Sequence, residues 1–173
     1  WFECYRSKNI SKKHIYIRDV FKQWYVKGIS NNINSLEKLI EHLKKETDGY
    51  DIVTIGSSAG RFIATLLGCE LNAQYVLNYS GQYDLTNQKD YNLHLMEYLV
   101  NDGKYSNIIN LIEQHQTYIF YFVCTKSLVD KYDLQLSKTL KNIYLFEFNS
   151  DIHGIPITKE VLKILQKMNK VEL

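Results

Sequence analysis

Hydrophobic residues follow two spacings along the chain, one typical of strands and the other of helices. Segments rich in β-branched and aromatic residues predict strands, and apolar residues three or four positions apart predict helices. The predicted strands are 14–20, 51–56, 73–80, 118–125 and 143–150. The predicted helices are 35–46, 59–71, 133–142 and 158–170, with Ser35 and Thr158 as the residues that open the first and last of them.

This alternation predicts the fold class. A helix between two strands returns the chain for parallel pairing through a right-handed crossover, which gives a sheet with helices on both faces. We therefore predict one α/β domain over residues 1–173, built on a mostly parallel sheet. Residues 86–116 have a less regular helical pattern, broken at Asn101-Asp102-Gly103, and predict a helical insertion that caps the domain.

Composition removes several classes of function. The 173 residues are 45% hydrophobic and 23% charged, which are values of a globular chain. The net charge is only +2 and the basic residues are scattered, so no nucleic-acid partner is predicted. No apolar run approaches the roughly 20 residues that cross a bilayer, so no membrane span is predicted.

The spacing of the cysteines and the absence of known cofactor motifs both argue against a bound metal or cofactor. The three cysteines are widely spaced without a Cys-x-x-Cys pair, which favours reduced thiols in a cytoplasmic protein over disulfides or a zinc site. The chain also lacks a phosphate-binding loop, a dinucleotide fingerprint and a His-Glu-x-x-His helix. We therefore predict no metal and no cofactor.

One segment carries a candidate nucleophile. After the predicted strand 51–56 the chain reads Gly56-Ser57-Ser58-Ala59-Gly60 and continues into a helix. Gly-x-Ser-x-Gly between a strand and a helix is the pattern of a nucleophile elbow, in which small residues before and after Ser58 let strand and helix approach closely. The helix N-terminus favours negative charge, so Ala59 and Ser57 are predicted to line an oxyanion site. A plain tight turn is the alternative.

A serine nucleophile needs a base, and in this architecture the expected chain order is serine, acid, histidine. His153 follows the last predicted strand, downstream of Ser58. The other histidines, at 14, 42, 94 and 115, fit surface or helical positions. His153 is therefore the predicted base.

The acid is less clearly indicated. Ser127 stands where a carboxylate is expected after the strand 118–125, and the nearest acidic residue is Asp130, with Asp133 behind it. Either aspartate could instead cap the next helix. Asp84, after the preceding strand, is a second candidate, and a Ser-His dyad without an acid is the third possibility.

The segments "DIVTIGSSAGRFIATLLG", "YVLNYSGQYDL", "YIFYFVCTKSLVD" and "IYLFEFNSDIHGI" together resemble the second half of an α/β-hydrolase. The resemblance covers roughly residues 14–170 in element order and implies Ser58 as nucleophile and His153 as base. A narrower stretch, "IYIRDVFKQWYVKG", is similar to hydrolase-like proteins encoded with bacterial surface-polysaccharide genes, some of which are thought to move acetyl groups.

The chain departs from this family at three places. Arg61 replaces a frequent second glycine, and we expect it either to reach an anionic or sugar substrate or, more simply, to face solvent on its helix. The leading antiparallel strands are short or missing. The second oxyanion amide must come from "RSKNISKK" or from a lost N-terminal part.

The resemblance implies an enzyme that cleaves a carboxylic ester, either a small molecule or an O-acyl group on a glycan, through an acyl-enzyme on Ser58. An O-acyltransferase of a surface polysaccharide would use the same acyl-enzyme. A non-catalytic binding protein that keeps the fold is the third reading.

Overall fold

The computed structural model describes residues 13–86 and 103–165. Helices and strands alternate through most of these residues. Their bounds are α1 Leu36–Glu46, β1 Val53–Ser57, α2 Ala59–Glu70, β2 Tyr75–Tyr79, α3 Ile109–Gln114, β3 Tyr118–Cys124, α4 Lys131–Ser137, β4 Ile143–Phe148 and α5 Lys159–Leu165.

The four strands form one parallel sheet in the order β1-β2-β3-β4. A helix lies between each strand and the next along the chain, as parallel neighbours require. The predicted α/β class is therefore confirmed. Parallel order also places the carboxyl ends of all four strands at one edge of the sheet, where α/β proteins bind their ligands.

Alternate residues of the strands point to opposite faces of the sheet and bury two apolar clusters. On β3, Ile119, Tyr121 and Val123 belong to the larger cluster, which includes buried residues of α1 and α2. Phe120 and Phe122 belong to the smaller one, with Leu162 of α5. The two clusters place helices on both faces of the sheet, as predicted.

The first helix follows its sequence pattern closely. The Ser35 hydroxyl accepts a hydrogen bond from the Lys38 N–H at 3.2 Å, which satisfies one of the amides left free at the helix start. Leu36, Leu39 and Leu43 are buried on its inner face. Both the predicted N-cap and the predicted core face of α1 are confirmed.

The predicted strand at 14–20 is wrong. The segment joins no ladder of the described sheet, and its end turns around Asp19, whose carboxylate accepts hydrogen bonds from the N–H groups of Gln23 at 2.6 Å and Tyr25 at 3.3 Å. A β-rich composition forms a strand only when a partner satisfies its backbone. Here the local bonds to the carboxylate fold the chain into a turn instead.

The predicted insertion at 86–116 is described in part. Tyr105, Ile108 and Ile112 are buried in the larger cluster, so the described half belongs to the core. Residues 87–102 lie outside the described residues, and for them the cap remains a prediction.

Within 13–86 and 103–165, no helix is long and apolar enough to cross a membrane. The same residues contain no group of three or more His, Cys, Asp or Glu side chains that could hold a metal ion. Cys69 and Cys124 are free and buried, and burial raises the pKa of Cys69 to about 12.

Candidate active site

Ser58 lies in the turn between β1 and α2 with φ 56° and ψ −127°. This backbone conformation is costly for a residue with a Cβ, and residues held in it cluster at functional sites. The Ser58 N–H donates hydrogen bonds to the carbonyls of Tyr79 at 3.1 Å and Ser80 at 2.9 Å. The strained turn is thus tied to the end of β2.

The glycines on either side of Ser58 have different roles. A Cβ at Gly56 would overlap the Gly60 carbonyl and approach the Ala64 side chain, so a side chain there is excluded. A Cβ at Gly60 would meet open space. The expectation that small residues are needed on both sides of Ser58 is therefore wrong for Gly60, because the close contact is with its backbone, which any residue would supply.

His153 lies in the loop after β4 and contacts two other predicted site residues. Its Nε2 lies 3.1 Å from the Ser58 Oγ, and its Nδ1 lies 3.0 Å from the Asp130 Oδ2. About a third of the imidazole is exposed, and Ser58 is exposed too. The pair is therefore open to an approaching molecule, at the edge where the strands end.

Asp130 is fully buried just before α4. Its Oδ1 accepts a hydrogen bond from the Gly81 N–H at 2.8 Å, and its Oδ2 accepts one from the Ser127 hydroxyl at 2.6 Å as well as facing His153. Asp130 occupies the N-cap position of α4, but its side chain makes no capping bond to that helix. Sequence reasoning missed the role of Ser127, although a serine three residues before an acid was a usable signal.

The other two candidate acids have different partners. Asp84 accepts hydrogen bonds from the Thr86 N–H at 2.8 Å and from the Asn107 amide at 3.2 Å. Asp133 accepts one from the Tyr83 N–H at 2.8 Å. Burial raises the pKa of Asp133, and Arg61 and the Tyr83 N–H offset part of that rise. Of the candidate acids, the structure brings Asp130 to His153.

Arg61 is fully buried, so the expectation that it faces solvent is wrong. Its guanidinium carbon lies 3.7 Å from the ring centre of Tyr83 and 3.8 Å from that of Tyr121, and one of its N–H groups donates to the Gly81 carbonyl. Burial alone would lower the pKa of Arg61, but Tyr83, Tyr121 and Asp133 raise it, so the group remains a cation. Enclosed in this way, Arg61 is not available to a substrate.

Ser80 is a further residue that sequence reasoning missed. It is buried, and its hydroxyl accepts a hydrogen bond from the Gly154 N–H at 2.9 Å and donates one to the Gly154 carbonyl at 3.1 Å. Gly154 follows His153 in the chain. Ser80 therefore fixes the loop that carries the imidazole.

The predicted oxyanion residues lie beside Ser58. Ala59 is the first residue of α2, so its N–H is among those that a helix leaves without an internal partner. Ser57 is the last residue of β1 and pairs in register with Tyr79. The other predicted source of an oxyanion amide is residues 6–13, and all of them but Lys13 lie outside the described residues.

No family model matches the chain, and no curated protein matches it. Among solved structures, a protein with unknown function from Staphylococcus aureus subsp. aureus Mu50 is similar with a TM-score of 0.54 at 12% identity, over 77% of this chain and 70% of that one. The chain shares its α/β fold with a lipase-esterase related protein. That protein, from Clostridium acetobutylicum ATCC 824, has a TM-score of 0.50 at 14% identity, over 73% of this chain and 72% of that one. At such identities the likeness concerns the fold.

Proposed function

We propose that the protein is a serine hydrolase that cleaves a carboxylic ester through an acyl-enzyme on Ser58. The observation that carries the proposal is the continuous series of contacts from the Ser58 Oγ to the His153 Nε2 at 3.1 Å and from the His153 Nδ1 to Asp130 at 3.0 Å. A serine hydroxyl is a weak nucleophile alone and is activated by an adjacent base, which a third group orients.

Each of the three residues has a definite part in the proposed reaction. As the Ser58 Oγ attacks the ester carbonyl carbon, the His153 Nε2 takes its proton. The same imidazole then gives that proton to the leaving alcohol, which completes the acyl-enzyme. In the second half a water loses a proton to the His153 Nε2 and attacks the acyl carbon. As the bond between the acyl carbon and the Ser58 Oγ breaks, His153 gives this proton to the Oγ, which releases the acid and restores Ser58.

Asp130 would serve this cycle from a buried position. Its Oδ2 accepts a hydrogen bond from the His153 Nδ1–H, which keeps Nε2 as the acceptor that faces Ser58. The bonds from Gly81 and Ser127 hold the carboxylate in place while the imidazole gains and loses charge.

The Ala59 N–H is the proposed donor to the oxyanion of the tetrahedral intermediate. It belongs to the N-terminus of a 12-residue helix, where amides and the helix dipole both favour negative charge. Loss of one such donor typically costs about 3–4 kcal/mol of transition-state stabilisation. The lipase-esterase name of one structural neighbour supports the choice of an ester as substrate class.

The two alternative readings fare differently. Three features favour a non-catalytic protein: the doubtful acid, Arg61 and the short N-terminal half. The first two no longer support it, because Asp130 contacts His153 and Arg61 is buried. The third involves residues 1–12, which lie outside the described residues. An O-acyltransferase remains the second fate of the same acyl-enzyme, with a glycan hydroxyl in place of water.

Hydrolysis of p-nitrophenyl acetate tests the proposed function. We expect nitrophenol release, with an acetyl group on the Ser58 peptide after acid quenching. His153→Gln should lower turnover about 10⁴-fold or more, because the serine loses its base. His14→Gln, at an exposed histidine, is the matched control. Equal turnover in both folded variants would contradict the proposal.

The fate of the acyl group is a separate measurement. In the presence of N-acetylglucosamine, the products of the same reaction are analysed by mass spectrometry. Acetate as the sole product that carries the acetyl group supports a hydrolase, and an acetylated sugar whose formation depends on Ser58 supports the transferase.

A further inference from the structure

The turn formed by Ser80 and Gly81 connects two residues of the proposed site through one peptide unit. The Ser80 carbonyl accepts a hydrogen bond from the Ser58 N–H at 2.9 Å. The N–H on the other side of that peptide, which belongs to Gly81, donates to the Asp130 Oδ1 at 2.8 Å. A rotation of this single peptide would therefore displace the backbone of the nucleophile and the carboxylate together.

The same turn also reaches the base. Both backbone groups of Gly154, the residue after His153, are bonded to the Ser80 hydroxyl. The Ser80–Gly81 turn thus touches the backbone of Ser58, the side chain of Asp130 and the loop of His153. No other pair of adjacent residues among those described is bonded to all three places.

The backbone angles of the Ser80–Gly81 turn are unfavourable, so the turn needs contacts with other residues to stay in place. Ser80 has φ 38° and Gly81 has φ 118°, both in the region that side chains disfavour. A Cβ on Gly81 would overlap the Ser58 carbonyl, so glycine is required there. Glycine, however, rotates more freely than any other residue, so an additional contact is needed to fix the Gly81 carbonyl.

Arg61 supplies that contact. Its guanidinium donates to the Gly81 carbonyl and lies between the faces of Tyr83 and Tyr121, with no exposed surface. The Arg61 backbone N–H also donates to the Ser58 carbonyl at 2.9 Å, so this residue joins the first turn of α2 to the turn after β2.

A buried guanidinium is a poor way to gain stability. Removing its charge from water carries a large desolvation cost, and apolar residues of similar volume often stabilise the fold as well. Its Nε and second terminal nitrogen have no hydrogen-bond partner in the described structure. A planar cation with a fixed donor direction does provide geometry, and lysine does not reproduce that geometry.

We propose that Arg61 is a positioning residue. Its guanidinium lies between the Tyr83 and Tyr121 rings and holds the Gly81 carbonyl, which fixes the turn that aligns Ser58, Asp130 and His153. The inference rests on the proposed function, since it assigns Arg61 a part in the alignment of the same three residues. Arg61 touches no reacting atom in this account.

The first test compares Arg61→Lys with Arg18→Lys, an exposed arginine that serves as the matched control. The rate of fluorophosphonate labelling is measured over a range of probe concentrations. We expect the maximal rate of Arg61→Lys to fall about 10- to 100-fold, as misalignment near 1 Å does elsewhere. The half-saturating concentration should change little. A folded Arg61→Lys that labels at the rate of Arg18→Lys would overturn the proposal.

A second readout does not depend on activity. In the Ser58→Ala background, the proton between the His153 Nδ1 and Asp130 should give a far-downfield proton resonance. Adding Arg61→Lys should remove or displace it. An unchanged resonance would overturn the positioning role of Arg61, whatever the activity of the variant. A resonance in a protein whose Ser58 is never labelled by the fluorophosphonate would contradict the proposed function alone. A protein with neither labelling nor resonance would overturn both.

A third pair decides the matter if Arg61→Lys does not fold. Tyr121→Leu removes one of the two rings that enclose the Arg61 guanidinium, and Tyr121→Phe retains it, while Arg61 stays in both. We expect slower maximal labelling for Tyr121→Leu than for Tyr121→Phe. Equal rates in the two folded proteins would overturn the proposal.

Discussion

Asp130 and Asp133 lie within one helical turn of each other and bind the same neighbouring segment, yet their surroundings differ. Each accepts a hydrogen bond at 2.8 Å from a backbone N–H, Asp130 from Gly81 and Asp133 from Tyr83. The other oxygen of Asp130 faces His153 at the open edge of the sheet. Asp133 lies in the closed interior, where the opposite charge that acts on it is that of Arg61.

The two aspartates differ in the partner that each one faces: His153 beside Asp130 can change its charge, and Arg61 near Asp133 cannot. Histidine gains and loses a proton during proton transfer, so a carboxylate beside it can orient the imidazole and stabilise its positive charge when that charge forms. Arginine stays protonated, so a carboxylate near it can only balance a fixed charge. We infer that these two aspartates, which lie within one helical turn, serve different purposes: Asp130 acts in the proposed reaction, and Asp133 balances the charge of Arg61.

The largest expected difference between the two is in activity. Asp130→Asn should slow fluorophosphonate labelling about 10²- to 10⁴-fold, because an amide that donates to the His153 Nδ1 favours the wrong tautomer. Asp133→Asn should slow it less than about 10-fold, since its carbonyl oxygen can still accept from Tyr83. Labelling rates of the two folded variants, measured side by side, check this. The reverse order would remove Asp130 as the orienting acid.

A smaller effect is expected in the pH dependence of stability. Burial raises the pKa of Asp133 in the folded protein above its unfolded value, so the unfolded chain binds fewer protons between the two values. The free energy of unfolding contributed by Asp133 is therefore highest at acid pH and falls as the pH rises through the folded pKa. In Asp133→Asn this decrease in the free energy of unfolding with rising pH is absent.

Urea denaturation of wild type and Asp133→Asn, at acid and at neutral pH, measures the difference. We expect the free energies of unfolding of the two proteins to be most similar at acid pH. Towards neutral pH, the free energy of unfolding of the variant should rise relative to that of the wild type. A relative gain of the wild type over the same range would mean that Arg61 more than compensates the burial of Asp133.

The sequence predicted those parts of the molecule that depend on local patterns. The order of strands and helices follows from hydrophobic spacing, because each element buries its own apolar face. The position of Ser58 in a strand–turn–helix segment follows from small residues that are adjacent in the chain. The segment 14–20 shows the limit of such reasoning, since a strand also needs a partner elsewhere.

Contacts between distant residues could not be predicted in the same way. Asp84 and Asp130 both follow strands, and only the path of each loop decides which one meets His153. The burial of Arg61 depends on Tyr83 and Tyr121, which lie on later elements. A charged residue on a helix is usually exposed, and nothing local marks this one as enclosed.

The central claim is that Ser58 is an activated nucleophile, and covalent labelling tests it most directly. Wild type, Ser58→Ala and the matched surface variant Ser30→Ala are incubated with a fluorophosphonate, and the labelled peptide is identified by mass spectrometry. We expect one labelled residue, Ser58, in wild type and Ser30→Ala, and none in Ser58→Ala. A folded wild-type protein that remains unlabelled, or that is labelled equally after Ser58→Ala, would contradict the account.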